Sequence, residues 1–411
     1  MFPVSGYIAF TQKHGRFLGF GCLLAFTSSA GQTYFIGIFG PEIRDTFSLS
    51  HTQWGSLYLI GTLSSALVLP WSGQLIDRLD LRLYVAVVVA GLALSCATIS
   101  LAPSVLMLTI AIFLLRQFGQ GLTSHAAITS MARYMTYDRG KAIAITSMGF
   151  SIGEAVLPFL AVVAIGAIGW RPAYMLASLC VLVLCAIILW LLRGQRERHE
   201  AHINGLHGAG KDGPPAVPSK TRREMISEGR FYLLLPAVVA PSLVLTALFF
   251  HHLTLAESKG WSGLWVTGNY WVYALSSVVT SLIAGPAIDR LSAARVVPFY
   301  LVPMILALLL LVPAHNPVWV IPYMMLIGIN TGIYFTAISA LWAELYGAKH
   351  LGAIKSLAGS FGVLASALGP VTIGALLDQG FSFEQVCIVF ALFCTVATVL
   401  LIFGLRRFRR H

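Results

Sequence analysis

Long apolar stretches dominate this chain, each close to the roughly 20 residues a helix needs to cross a bilayer. Twelve such spans are predicted. The first six run over 17–40, 53–76, 82–102, 104–132, 141–166 and 172–192, and the second six over 231–255, 262–288, 294–313, 317–342, 352–377 and 384–405. Only 10% of the 411 residues are charged and 57% are apolar, whereas a soluble domain carries about 25% charge. A mean hydropathy of +0.80 cannot describe a surface that faces water. Lys13 and Arg16 precede the apolar run from Phe17 to Phe39, which is longer than a signal peptide's hydrophobic region. It is read as an uncleaved first helix.

The net charge of +11 would suggest nucleic acid in a soluble protein. Here the charges fill the short gaps between apolar runs, so no nucleic-acid partner is expected; the bilayer is the partner. With both termini inside, 23 lysines and arginines fall on the cytoplasmic side and 3 (Arg44, Arg171, Lys259) outside, with Arg116 left within the bilayer. That asymmetry obeys the positive-inside rule and favours an even number of spans. The expected location is a plasma (inner) membrane, with N- and C-termini cytoplasmic.

Residues 193–230 differ from the rest, and the stretch from Arg193 to Lys220 mixes charge, His, Gly and Pro and has no apolar face. The segment 193–230 is read as a cytoplasmic linker with a short surface helix near Arg222–Ser227. His199, His202 and His207 are read as solvated there rather than as metal ligands. The linker divides the chain into a six-helix bundle over 1–192 and another over 231–411. One ungapped offset of 212 residues aligns the two. Gly73-Gln-Leu-Ile-Asp77-Arg78-Leu79 matches Gly285-Pro-Ala-Ile-Asp289-Arg290-Leu291, Leu63-Ser-Ser65 matches Leu275-Ser-Ser277, and Tyr58 matches Tyr270. Tyr134 with Tyr346, Gly140 with Gly352 and Pro158 with Pro370 keep the same spacing. The fold class predicted is all-α integral membrane, with 12 transmembrane helices in two pseudo-symmetric six-helix bundles in parallel orientation.

Each G-x-x-x-D-R segment lies between the second and third helix of its own half. Glycine permits close helix approach, and the aspartate suits a facing helix N-terminus. With the span count, the linker and the Asp138-Arg139-Gly140 turn, this pattern resembles the major facilitator superfamily over essentially the whole chain. The resemblance implies a central cavity between halves, alternating access and a cytoplasmic gate at Gly73, Asp77, Arg78, Gly285, Asp289 and Arg290. Two departures stand out. Arg116-Gln-Phe-Gly119-Gln-Gly121 resembles the family's fourth-helix motif with compressed spacing, and Glu154 stands where proton-driven drug exporters carry proline. Tyr346-Gly-Ala-Lys-His350-Leu-Gly352 also resembles the monocarboxylate and oxalate carriers of the superfamily.

Ionisable side chains inside a bilayer are costly and usually functional. Arg116 lies about 12 residues into the fourth span and Glu154 about 13 into the fifth, so both sit near mid-depth at 1.5 Å per residue. Their counterparts at the repeat offset are Gly328 and Ser366, so this pair belongs to one half only. The two are expected to line the cavity as a switchable pair that couples a proton to an anionic substrate; a permanent salt bridge is the alternative. Tyr58, Tyr270, Asn330, Gln32 and Tyr34 are further candidate substrate contacts, each equally able to bond between helices. His125 is expected to pack or to meet a neighbouring helix. His251 and His252 are expected at the outer interface, with an outer gate as the alternative, and Glu344 at the wet cytoplasmic end of the tenth span.

The six cysteines all fall within apolar runs without the spacing of a zinc site, and no metal or cofactor is expected. A thiol site for a soft metal ion or metalloid is the alternative. No phosphate-binding G-x-x-x-x-G-K-[ST] occurs, so an ion gradient or substrate exchange is the expected energy source. The function predicted is secondary transport, by symport or exchange, of a small organic anion by a monomer. Proton-driven efflux of drugs or metalloids is the alternative. An integral membrane enzyme is the competing class, but no nucleophile with a base accompanies the duplicated fold.

Overall fold

A computed structural model of the protein describes residues 4–135, 138–195, 220–347 and 350–406, apart from the side chains of 4–9, 139, 289, 352 and 353. Most of the predicted linker, its three histidines, Lys349 and the basic tail beyond Arg406 lie outside the described residues, as does the Asp289 side chain. Eleven helices among the described residues are long and apolar enough to cross a membrane. The predicted first span is the exception, because its helix is broken. The chain runs as α1 (Val4–Thr27), a 3₁₀ turn over Ser28–Gly31, then α2 (Thr33–Ile38) and α3 (Gly40–Phe47).

After α3 come α4 (His51–Gly73), α5 (Leu75–Arg78) and α6 (Leu81–Ser100). The fourth span comprises α7 (Val105–Leu115), a π-helical segment Arg116–Thr123 and α8 (Ser124–Tyr134). Then follow α9 (Arg139–Ile168) and α10 (Trp170–Leu191). The expected linker helix is present as α11 (Arg222–Ser227). Thr221 and Glu224 form a capping box at its start, which satisfies two otherwise orphaned backbone donors. Hydrogen bonds from the Thr221 backbone N–H and hydroxyl hold the exposed Glu224 carboxyl below its usual range.

The second half is built from α12 (Gly229–Phe250), α13 (His252–Ser258), α14 (Gly263–Gly268), α15 (Tyr270–Leu291) and α16 (Ala293–Val296). It continues with α17 (Val302–Leu311), α18 (Val320–Tyr346), α19 (Leu351–Asp378) and α20 (Phe383–Arg406). Large apolar side chains such as Leu67, Leu94, Leu106 and Leu392 are exposed, as expected where the solvent is lipid.

Contacts divide the chain into two compact units. One holds Met1–Phe39 with Ile60–Gly213, and the other holds Gly40–Leu59 with Pro214–His411. In the first unit α1 lies against α9 through glycines. A Cβ added at Gly149 would stand 2.0 Å from the Cys22 carbonyl oxygen, and one at Gly153 would stand 2.1 Å from Ser29 Oγ. With no lipid-excluding drive between apolar helices, such close approach is what holds them together.

In the second unit α15 meets α18 in the same way, at Gly328 and Gly332, each 2.5 Å from a carbonyl oxygen of α15 once a Cβ is added. Segment 40–59 packs there on α19: Gly55 abuts Val371, and Gly374 abuts His51. Asp378 ends α19 and accepts hydrogen bonds from the backbone of His51 (3.1 Å) and Thr52 (2.8 Å), capping the first turn of α4. Arg44 donates to the His51 ring beside it. Burial raises the nearby Glu257 carboxyl, with Arg44 acting against the shift.

Three expectations are corrected. The first span is not continuous. His251 and His252 are not interfacial; both are 1% exposed. The chain breaks at His251 and turns its two imidazoles inward, where they pack on Phe249 and Phe250. Glu344 does more than meet water: its carboxylate accepts from the backbone of Ala293 (2.6 Å) and Ala294 (3.1 Å) and caps α16.

Candidate functional site

The site begins with the run Thr27-Ser-Ser-Ala-Gly-Gln-Thr33, which interrupts an otherwise apolar span. Thr27 and Ser28 hydroxyls bond back to the Leu23 and Ala25 carbonyls, a competition with the helix ladder that loosens it. The 3₁₀ turn follows, and Gln32 adopts an extended backbone (φ −83°, ψ 153°). Breaks of this kind within a bilayer free backbone groups and are tolerated where they are buried in protein or line a cavity. They commonly mark substrate sites in transporters.

The fourth span is irregular at the same level. Gly31 and Gly119 are packed so tightly that a Cβ on Gly119 would lie 2.5 Å from Gly31 Cα. At this crossing α7 opens into the π segment that starts at Arg116; π-bulges recur at functional sites. Arg116 is 4% exposed, and its Nη1 donates to the Gly31 carbonyl and to Thr33 Oγ1, both at 3.3 Å. Charge-assisted bonds of good geometry are nearer 2.7–2.9 Å, so these two bonds are long. Gln32 Nε2 donates to Ser124 Oγ at 3.2 Å. The Gln120 Oε1 is buried with no hydrogen-bond partner among the described residues.

Glu154 borders the same break from α9. Its neighbour Gly153 touches Ser29, whose Oγ accepts from the buried Tyr34 hydroxyl at 2.8 Å. Glu154 makes no ion pair among the described residues. The permanent salt bridge weighed above is therefore not what this structure holds. The structure thus gathers Arg116, Glu154, Gln32 and Tyr34 around one break. Ser29, Thr33, Gln120 and Ser124 were not singled out from the sequence; the cluster of small polar residues within the first apolar run was the available signal.

The other predicted residues lie elsewhere. Tyr58 is fully buried in the second unit against Phe250, with ring centroids 4.7 Å apart. Tyr270 is fully buried and shares a 2.7 Å hydrogen bond with His252 Nδ1. Asn330 Nδ2 donates to the Tyr300 carbonyl at 2.7 Å. At the predicted gate, Asp77 pairs with Arg133 of its own unit at 3.4 Å, and Gly73 lies beside the His125 ring. Arg78 and Arg290 are exposed, and no side chain approaches Gly285. Among the described residues no group of three or more His, Cys, Asp or Glu is placed to hold a metal ion.

The sequence profile of the Major Facilitator Superfamily matches residues 21–271 and 263–411. No curated protein matches the sequence. Among solved structures, a bacterial homologue of the human lysosomal transporter Spinster, inward-facing and unoccupied, is similar with a TM-score of 0.71 at 15% identity, over 97% of this chain and 98% of that one. The nucleoside transporter NupG is similar with a TM-score of 0.71 at 12% identity, over 94% and 98% of the two chains.

Proposed function

Because the chain belongs to the major facilitator superfamily, it is a membrane transporter of a small solute, and we propose that this solute is an organic anion bound at the broken first helix. The observation that carries the reading is the Arg116 guanidinium, buried beside the break, where its Nη1 donates to Gly31 and Thr33 at 3.3 Å. A carboxylate presents two oxygens to a guanidinium fork and makes shorter, stronger bonds, so it displaces those contacts with a net gain. Gln120 Oε1, buried and without a partner, offers an acceptor for a hydroxyl on the same solute. Glu154 supports coupling to a proton or to a counter-substrate: it is an ionisable group within the bilayer that borders the break and makes no ion pair among the described residues. The lysine and arginine distribution supports cytoplasmic termini, and the same proposal includes alternating access across a plasma membrane.

A thermal-shift screen of the purified chain tests the reading. Small mono- and dicarboxylates should raise the melting temperature, and neutral nucleosides and hydrophobic cations should not. Arg116→Ala should weaken the carboxylate response roughly 10- to 100-fold, the scale of a lost hydrogen-bonded charge. Stabilisation by nucleosides or cations with no response to carboxylates, or an equal response in Arg116→Ala, would overturn it.

A further inference from the structure

A second candidate site lies away from the broken helix, where α6 ends and α10 begins. A groove of about 550 Å³ opens there, lined by Ser100, Leu101, Arg171, Met175, Leu176 and Leu179 among others. Its volume falls within the range of small-molecule sites. Arg171 is the one charged residue in the lining. It is fixed on two sides: Nη1 donates to the Ser100 carbonyl at 2.8 Å, and the guanidinium stacks over Trp170 at 4.4 Å from the ring centroid. In return Ser100 Oγ donates to the Arg171 carbonyl at 2.7 Å. The arginine is therefore a positioned cation rather than a waving surface chain.

Depth identifies what such a cation meets. The helices α6 and α10 have 20 and 22 residues, about 30 Å of rise, which matches the hydrocarbon thickness. Their shared end thus sits at the boundary between acyl chains and headgroups, where a Trp ring is at home. From Arg171 the groove descends along α10 to Leu179, about 12 Å further into the bilayer. Leu101, Leu176 and Leu179 are exposed along it, at 66%, 47% and 54%. A cation at headgroup level above an apolar trough matches one chemistry: a phosphate monoanion joined to an alkyl chain.

We propose that this groove binds an anionic phospholipid, its phosphate on Arg171 and one acyl chain along Leu101, Leu176 and Leu179. Guanidinium and phosphate pair through two parallel hydrogen bonds, the same pairing by which basic pockets on the cytoplasmic side of membrane proteins hold anionic headgroups. On the orientation proposed above this is the outer leaflet, the side on which the positive-inside pattern leaves few competing cations.

Native mass spectrometry of the purified full chain, titrated with phosphatidylglycerol or phosphatidylcholine of matched chains, tests the proposal. Phosphatidylglycerol should be retained roughly tenfold better, the order of one charge-assisted contact. Arg171→Gln should remove that preference. Arg171 also ties α10 to α6, so Leu176→Trp serves as the second variant: it fills the trough from an exposed position and leaves the guanidinium in place. It should cut phosphatidylglycerol retention while the melting temperature without lipid stays unchanged. Inorganic phosphate should fail to displace the lipid. Equal retention of the two lipids, full retention in Leu176→Trp, or displacement by phosphate alone would each overturn the proposal.

Discussion

Arg116 and Glu154 touch the same interruption of the first helix through different residues, Arg116 through Gly31 and Thr33, Glu154 through its neighbour's contact with Ser29. Among the described residues the two form no ion pair with each other. On the proposed coupling, Glu154→Gln mimics the protonated carboxyl. It should abolish proton-driven uptake into proteoliposomes while counter-flow of the same anion persists. A pH dependence of uptake equal to that of the native chain would exclude Glu154 as the coupling group. Their depth and their absence from the second half were legible in the sequence. What they touch was not, because Gly31 and Gly119 are 88 positions apart and nothing in their local pattern announces a crossing.

Among the helices, glycine position decides how closely a pair can approach. The α1–α9 contact depends on Gly149, where an added Cβ meets the Cys22 carbonyl at 2.0 Å, whereas Gly166 on the same helix has nothing within 4 Å. Gly149→Ala must push two backbones apart and should cost about 1–3 kcal/mol. Gly166→Ala should be neutral or stabilise by up to about 1 kcal/mol, since alanine loses less entropy in a helix. Melting temperatures of the two purified variants should move apart; equal shifts would show that the α1–α9 contact yields more easily than the glycine spacing implies.

Helix ends allow a parallel test. Asp378→Asn keeps the shape but removes the charge that caps α4 through His51 and Thr52. A loss of about 0.5–1 kcal/mol is expected, from the dipole contribution alone, with Asp378→Ala losing up to about 2. Hydrogen exchange at the start of α4 should report it first. The helices themselves were largely legible from hydropathy, but averaging over a span conceals six or seven polar residues within it. That is why the break at Ser28–Gly31 escaped; the Thr221–Glu224 capping box of α11 lies in a polar stretch, where no such averaging hides it.

Across the whole molecule, the repeat separates what the two halves share from what only one carries. The breaks at Phe39 and His251 stand at equivalent positions of the repeat, so they belong to the shared scaffold. The 3₁₀ turn at Ser28–Gly31 and the π segment at Arg116–Thr123 have no such partner: their counterparts lie within the continuous helices α12 and α18. These two irregularities of the first half therefore gather around Arg116 and Glu154, whereas the break between α4 and α5 at Gln74, whose counterpart lies within the continuous α15, stands apart. Packing explains why the second half lacks them. Gly328 replaces Arg116 where α18 presses on α15, and an added Cβ there would lie 2.5 Å from the Tyr273 carbonyl.

Gly328→Arg should therefore fail at the level of folding. A side chain of that size at a closed helix crossing costs at least the 1–3 kcal/mol of overpacking, and burying its charge without a partner adds several more. Arg116→Ala, by contrast, removes a side chain without adding bulk or charge to a closed crossing and should fold, losing ligand response rather than structure. Size-exclusion profiles and melting temperatures of the two variants, measured side by side, check the distinction. A monodisperse Gly328→Arg with a native melting temperature would mean that the second half can host the charge, and that its restriction to the first half is not imposed by packing.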